Sequence, residues 1–119
     1  MKFKGIVKKH LGRGTKLGFP TANILAPKEI EDATYLALTN GKSSIVFIGA
    51  PATFEEKDRR AESYILDFSG DLYDQEIEIE IIKKLRDNEK FDSEQELIDQ
   101  MNLDEVVARE FFKSYNTNN

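Results

Sequence analysis

The chain has 119 residues, of which 39% are hydrophobic, and a formal net charge of −5. It fits one globular domain, and no apolar run is long enough for a transmembrane helix. The absence of cysteine excludes disulfides, thiolate catalysis and cysteine-ligated zinc, and the single histidine excludes a histidine metal cluster within the chain. The N-terminus lacks the apolar core of a signal peptide, so we expect a soluble, cytoplasmic protein.

The charge is divided unevenly along the chain. Residues 1–28 contain seven Lys or Arg and no Asp or Glu, and the rest of the chain carries ten basic against 22 acidic groups. An acidic chain is a poor nucleic-acid binder. A basic segment at one end fits a small polyanion such as a nucleoside triphosphate, although chance clustering on a solvated face would give the same pattern.

The first predicted strand covers 2–9, with Phe3 and Val7 on one face and Gly5 between them. A glycine-rich loop follows, and glycines allow successive backbone N–H groups to surround an anion. Its candidate nucleotide ligands are Gly12, Arg13, Gly14 and Lys16. A basic, flexible hairpin loop without a ligand is the alternative.

The loop continues into Pro-Thr-Ala-Asn, where Thr21 and Asn23 offer a hydroxyl and an amide oxygen two residues apart. Such oxygens suit Mg²⁺, which often also binds substrate phosphates. Ile24, Leu25 and Pro27 are expected to close the loop without forming a central strand.

Patterns of apolar residues predict four further strands. Residues 34–39 and 43–49 flank Asn40-Gly41, which is a strong two-residue hairpin signal. In 62–68, Glu62 shares a predicted face with the apolar or aromatic residues Tyr64, Leu66 and Phe68. A carboxylate on such a face is either exposed to solvent at the rim of the barrel or has a function. Residues 76–82 alternate Glu with Ile, which is typical of a half-buried strand.

The C-terminal part predicts two helices. Ser93 and Glu96 form a capping box for the first, and Asn102 and Glu105 give a weaker signal for the second. The apolar stripe that should pack the second helix across the sheet consists of Leu103, Val106, Val107 and Phe111. Short strands followed by terminal helices suggest a closed or nearly closed antiparallel barrel.

Three segments together resemble the riboflavin kinase family. They are GFPTAN (18–23), AESYILDFSGDLYD (61–74) and KLRDNEKFDSEQELIDQ (84–100). The resemblance implies a mainly β, six-stranded antiparallel Greek-key barrel with a C-terminal helix, and a single domain over residues 1–119. It also implies transfer of a phosphoryl group from ATP to the ribityl 5′-hydroxyl of riboflavin, which gives FMN and ADP.

The resemblance also implies roles for individual residues. Glu62 becomes the catalytic base, and Thr21 and Asn23 become ligands of Mg²⁺ (or another divalent cation) and of the nucleotide. Tyr73 joins the glycine loop among the nucleotide-binding residues. The flavin-binding residues are Arg86, Glu89 and Phe91. The implied partners are small molecules, with neither nucleic acid nor membrane, and the protein is expected to be a monomer.

Some positions depart from the family pattern. They are His10, Tyr64, Asp74 and Asn88. These departures motivate an alternative, a non-catalytic flavin- or nucleotide-binding module of the same fold. A purely structural barrel is a further alternative, in which Glu62 would be a rim carboxylate paired with Arg59 or Arg60.

Overall fold

A computed structural model describes residues 1–8, 20–49 and 59–117. The strands are β1 (Lys2–Ile6), β2 (Ala22–Leu25), β3 (Ala33–Thr39), β4 (Lys42–Gly49), β5 (Arg60–Ile65) and β6 (Glu76–Arg86). They are followed by one helix, α1 (Glu94–Thr117). The chain divides into two compact units, Met1–Asn88 and Glu89–Asn119, which are described separately.

The first unit is a six-stranded sheet in the order β1-β6-β3-β4-β5-β2, with antiparallel neighbours throughout. The two outer strands of this order meet again, because Lys8 pairs with Asn23 just beyond β1 and its backbone N–H donates to the Asn23 carbonyl at 3.0 Å. The sheet is therefore a nearly closed barrel, and the predicted mainly β barrel with a C-terminal helix is confirmed.

The β3–β4 hairpin follows the turn signal. Asn40 and Gly41 have φ values of 51° and 80°, the left-handed pair that a two-residue type I′ turn needs. The Asn40 side chain also accepts a hydrogen bond from the Glu78 N–H at 2.9 Å, which ties the turn to β6. Both predicted strands of the hairpin are confirmed, and each begins one residue earlier than predicted.

The barrel interior is filled by residues that point to one face of each strand. Its buried core consists of Val7, Ile24, Ile30, Ala33, Tyr35, Ala37, Val46, Ile48, Ala61, Ile77 and Ile79. The predicted alternation in β6 is confirmed, since Ile77 and Ile79 are buried while Glu76 is exposed. At the far end, Thr39 continues the interior with hydroxyl contacts to Ser44 (2.8 Å) and Ser63 (2.6 Å).

Gly5 lets β1 and β2 come close enough to close the barrel. A Cβ at this position would lie 2.9 Å from the Ile24 Cβ, which is shorter than real side-chain contacts allow. Ile24 is only 1% exposed, so it has little room to move. A glycine is therefore needed at position 5 so that β1 can pack closely against β2.

We expect Gly5→Ala to lower the free energy of unfolding by about 1–3 kcal/mol, the usual cost of overpacking a full core. Thermal denaturation should show this as a drop of several degrees. Gly49→Ala is the matched control, because the nearest atom to its Cβ would be the Asn88 side-chain nitrogen at 3.4 Å. An equal loss in both variants would contradict a special role for Gly5.

Two strand predictions were wrong in detail. Residues Ala22–Leu25 form β2, because Pro27 lies beyond the strand end and removes no ladder hydrogen bond. Strand β5 ends at Ile65, and its core-facing residues are Ala61, Ser63 and Ile65. Glu62 and Tyr64 therefore share a face, as predicted, but it points away from the core, and the strand ends before Leu66 and Phe68.

The second unit contains one helix where two were predicted. The Ser93 half of the capping box is confirmed, because the Ser93 hydroxyl accepts from the Glu96 N–H at 3.2 Å. The Glu96 carboxylate accepts from the Asp92 N–H at 3.0 Å, one residue before the cap. The weaker signal at Asn102 and Glu105 lies inside the continuous helix, and no second helix begins there.

The predicted apolar stripe of the helix was also wrong. Leu103, Val106 and Val107 are 59%, 66% and 47% exposed. The buried helical residues are Met101, Asp104, Ala108 and Phe112. Because Asp104 is polar, the sequence pattern does not mark this face as the buried one. The Gln100 side chain donates a hydrogen bond to the Asp104 carboxylate at 2.9 Å. Phe111 is half-buried and stacks on Tyr115, with ring centroids 5.5 Å apart.

Candidate functional site

A row of side chains crosses the outer surface of the barrel at one end of the sheet. Residues directly opposite each other in a sheet share a face, with Cβ atoms about 4.5–5.5 Å apart. The strand registers pair Arg86 with Thr34, Thr34 with Phe47, Phe47 with Glu62, Glu62 with Asn23, and Asn23 with Lys8. We call these six residues the outer row.

Two of the predicted site residues are direct neighbours in the outer row. Glu62 lies on β5 directly opposite Asn23 on β2, and Thr21 precedes Asn23 by two residues. Asn23 is 1% exposed although it points away from the barrel core. The proposed base and a proposed metal ligand are therefore cross-strand neighbours.

Burial sets the protonation behaviour of Glu62. Loss of solvent raises the pKa of its carboxyl group above the ordinary value, and the positive charge of Arg60 opposes this only in part. A carboxylate with a raised pKa is a stronger proton acceptor than one in water. The environment therefore suits Glu62 to general-base chemistry.

The alternative interpretation paired Glu62 with Arg59 or Arg60. The Arg59 guanidinium instead binds Asp32, with Nε 2.7 Å from Oδ1, and donates to the carbonyls of Ile30 (2.6 Å) and Pro27 (3.2 Å). Arg59 thus fixes the segment before β3 to the start of β5. Of the two predicted partners, only Arg60 has an electrostatic effect on Glu62.

The predicted nucleotide residue Tyr73 lies in a turn beside Val7. Its backbone N–H donates to the Asp71 carboxylate at 2.7 Å, and Val7 exchanges hydrogen bonds with the backbones of Asp74 and Gln75. Asp74 has a left-handed φ of 65°, which Asp tolerates better than most residues. The Tyr73 ring packs against the barrel core, and its nucleotide role stays a prediction.

Among the predicted flavin residues, Arg86 belongs to the outer row and lies three strands from Glu62. Glu89 and Phe91 lie in the second unit, and their role stays a prediction. Residues Gly12, Arg13, Gly14 and Lys16, together with His10, lie outside the described residues. Tyr64 shares the outward face with Glu62, opposite Ile45.

Asn88 fastens the end of the first unit to the sheet. Its side-chain oxygen accepts from the Thr34 hydroxyl at 3.0 Å, and its nitrogen donates to the Ile48 carbonyl at 2.9 Å. The amide uses both of its chemical functions, so an acidic residue could not replace it without losing the donor. This departure from the family pattern therefore has a structural role.

We expect Asn88→Asp to lower the free energy of unfolding by about 1–3 kcal/mol at neutral pH, because a carboxylate would face the Ile48 carbonyl without a proton to donate. Thermal denaturation should show the loss shrinking as the new carboxyl becomes protonated in acid. Asn40→Asp is the matched control, since Asn40 uses its side-chain oxygen only as an acceptor. A similar loss in both variants would contradict the donor argument.

The sequence interpretation missed Phe47 and Thr34, which occupy the middle of the outer row. Their pairing could have been predicted, because a two-residue turn at Asn40-Gly41 fixes the register of the whole hairpin. The pairing of Phe47 with Glu62 depends on the β4–β5 register, for which the sequence carries no comparable signal.

Within the described residues, no helix is long and apolar enough to cross a bilayer. The same residues contain no cluster of three or more His, Cys, Asp or Glu side chains that could hold a metal ion. The hydroxyl of Thr21, the amide of Asn23 and the single carboxylate of Glu62 fit a cation that also binds phosphate oxygens.

Several known proteins are similar to this chain in sequence or in fold. A trifunctional RibF/MnmA protein of Mycoplasmoides gallisepticum is 37% identical over 116 residues, covering 92% of this chain and 18% of that protein. A crystal structure described as a macrolide-efflux protein from Streptococcus pneumoniae superposes with a TM-score of 0.79 at 30% identity, covering 91% of this chain and 38% of that one.

The riboflavin kinase of Trypanosoma brucei shares the fold, with a TM-score of 0.67 at 23% identity over 94% of this chain and 79% of that one. The family profile described as Flavokinase, riboflavin kinase, matches residues 1–112. That match spans the barrel and most of the helix. The chain belongs to the riboflavin kinase family.

Proposed function

We propose that this protein transfers the γ-phosphoryl group of ATP to the ribityl 5′-hydroxyl of riboflavin, giving FMN and ADP. The observation that carries the proposal is the direct pairing of Glu62 with Asn23 in a chain of this family. The pairing brings a proton acceptor with a raised pKa next to a ligand suited to a phosphate-bound cation. A site that only binds flavin would need neither group.

In the proposed reaction, the Glu62 carboxylate accepts the proton of the ribityl hydroxyl as its oxygen attacks the γ-phosphorus. The bond from that phosphorus to the β–γ bridging oxygen breaks, and ADP leaves. Phosphoryl transfer depends mainly on positioning and on stabilisation of the phosphate charge. The loop that contains Arg13 and Lys16, with Thr21 and Asn23, would hold the phosphates in line with the hydroxyl.

Mg²⁺ would be held by the side-chain oxygens of Thr21 and Asn23 together with the phosphates, and it would neutralise phosphate charge when bound. ATP as the co-substrate follows from the family. We further propose a cytoplasmic monomer that acts on small molecules and binds no nucleic acid. The overall acidic charge supports the last point.

The direct test is incubation of the protein with riboflavin, ATP and Mg²⁺, followed by chromatographic separation of the flavins. We expect FMN to form in step with ADP, and none to form when ATP is replaced by a non-hydrolysable analogue. Flavin binding without FMN formation would favour the non-catalytic module. Absence of binding to both riboflavin and ATP would contradict either function.

The donor set predicts how the metal binds. A hydroxyl and an amide oxygen are weak Mg²⁺ ligands without phosphate oxygens, so we expect negligible Mg²⁺ affinity in the absence of nucleotide. Isothermal calorimetry should detect Mg²⁺ binding only when ADP or ATP is present. Strong binding to the protein alone would mean that a carboxylate site holds the metal and that Thr21 and Asn23 do not.

A further inference from the structure

Strand β2, which contains the proposed metal ligand Asn23, is attached unequally to its two neighbours. All four of its residues pair with β5. Among the residues that the structure describes, its other side has a single backbone bridge, from Lys8 to Asn23. The position of Asn23 therefore depends mainly on how β2 is held against β5.

Arg59 extends this attachment beyond the end of β2. The Ala26 N–H donates to the Arg59 carbonyl at 3.1 Å, which continues the β2–β5 ladder by one position. The Arg59 guanidinium donates to the carbonyls of Pro27 and Ile30 at 3.2 and 2.6 Å. Its Nε donates to the Asp32 carboxylate at 2.7 Å. We call the contacts of Arg59 with Pro27, Ile30 and Asp32 the Arg59 clamp.

The clamp is difficult to replace with other contacts. The Arg59 side chain is only 20% exposed, and Ile30 is buried in the barrel core. A planar guanidinium presents several donors in a fixed arrangement, which a lysine ammonium does not reproduce. The segment after β2 therefore cannot shift without breaking several hydrogen bonds or withdrawing Ile30 from the core.

We propose that Arg59 is a positioning residue for phosphoryl transfer, which keeps Asn23 aligned with Glu62 by fixing the segment after β2 to the start of β5. Arg59 lies three residues before Glu62, and Pro27 lies four residues after Asn23, so the clamp is on the same side of both. The inference rests on the proposed function for the roles of Asn23 and Glu62. The attachment of β2 by Arg59 does not depend on that function.

The expected effect on turnover follows from the sensitivity of catalysis to distance. A misplacement of about 1 Å, caused by a change far from the reacting atoms, can lower a rate by about 10²-fold. We therefore expect Arg59→Ala to lower kcat by about 10- to 100-fold at a temperature where the variant is fully folded. The Mg²⁺ concentration for half-maximal turnover should rise. The KM for riboflavin should not change, because no residue of the clamp is a predicted flavin ligand.

The first measurement needs no turnover. Amide hydrogen exchange, followed by NMR on ¹⁵N-labelled protein, reports how often each strand opens locally. The Ala26 amide donates to Arg59, and by antiparallel alternation the Ile24 amide also faces β5. In Arg59→Ala these two amides should exchange about tenfold faster or more, while those of the β3–β4 hairpin should exchange as in wild type.

Ile79→Val is the matched control. Ile79 is a fully buried β6 residue opposite Phe3 and Thr39, so the loss of one methylene lowers the stability of the barrel without removing a contact of the clamp. It should speed exchange by a similar factor throughout the barrel and leave kcat unchanged. Arg59→Lys keeps part of the donor set, and Asp32→Asn leaves both carbonyl contacts in place. Their effects should be smaller than that of Arg59→Ala, and Asp32→Asn should have the smallest.

Unchanged exchange at Ile24 and Ala26 in folded Arg59→Ala would overturn the proposal. Faster exchange with wild-type kcat and an unchanged Mg²⁺ requirement would overturn it as well. If Arg59→Ala does not fold, Arg59→Lys and Asp32→Asn decide by the same two measurements.

A wild-type protein that forms no FMN would contradict the proposed function and not the clamp. The affinity for ADP with Mg²⁺, measured by calorimetry, would then replace turnover. A weaker affinity in Arg59→Ala than in Ile79→Val would support the positioning of Asn23, and equal affinities would overturn it.

Discussion

Glu62→Gln is expected to reduce the turnover number for FMN formation by roughly two to four orders of magnitude, the usual contribution of a positioned general base. Glutamine keeps the size and the hydrogen-bonding capacity of the side chain but cannot accept the proton. Affinities for riboflavin and ATP should change little, because ground-state binding does not require that charge. Steady-state kinetics together with direct binding titrations would separate the two effects.

The stability of Glu62→Gln also separates a general base from a structural ion pair, because the two interpretations predict opposite changes in stability. The pKa of Glu62 is raised in the folded state, so ionisation is disfavoured by folding. This penalty is absent below the unfolded-state pKa and grows as the pH rises to the folded-state pKa. Above that value, Glu62→Gln should be as stable as wild type or more stable, whereas loss of a useful surface ion pair would cost up to about 1 kcal/mol. A destabilised variant with normal turnover would support the rim-carboxylate alternative.

The fold was largely predictable where local signals act alone. The Asn40-Gly41 turn needs left-handed backbone at both positions, and few other sequences satisfy it so well. The Ser93 capping box likewise satisfies N–H groups at the helix start within a few residues. In both cases the sequence contains all the interacting atoms, so the structure follows from it directly.

Predictions failed where the barrel overrides local preference. The core face of β5 uses Ala61 and Ser63, which a hydropathy pattern does not mark as interior, so the face that Glu62 shares with Tyr64 was predicted to be the apolar one. Strand β2 has only four residues, which is too short for a clear strand pattern in the sequence. It forms because it pairs with β5. In the helix, buried Asp104 interrupts the apolar stripe and made the exposed valines look like the packed face.

The candidate site was predicted in its residues but not in its geometry. Thr21, Asn23 and Glu62 were identified from the resemblance, which says nothing of their distance in this chain. Their proximity comes from the β2–β5 register, a contact between segments almost 40 residues apart in sequence. The outer row as a whole depends on four further pairings between strands, and the row could therefore be recognised only from the structure.

Asn23→Leu is expected to lower the turnover number by about 10²–10³-fold, the loss typical of removing one group that stabilises developing charge. Leucine has a similar volume, so the buried position beside Glu62 stays filled and the strand should remain folded. The substitution removes the amide oxygen proposed to hold the phosphate-bound cation, so the concentration of Mg²⁺ needed for half-maximal turnover should rise as well. Riboflavin affinity should not change.

Asn23→Asp tests the same position in the opposite way, because it replaces the amide with a carboxylate. A second carboxylate directly opposite Glu62 would repel its negative charge and raise the pKa of the pair. It would also provide two carboxylates within reach of one cation, so measurable Mg²⁺ binding without nucleotide should appear by calorimetry. Ile6→Leu, an exposed position on β1, serves as the control for both measurements. If Asn23→Leu keeps wild-type turnover and an unchanged Mg²⁺ requirement, then Asn23 is only a buried structural amide, and the cation must be held by other residues.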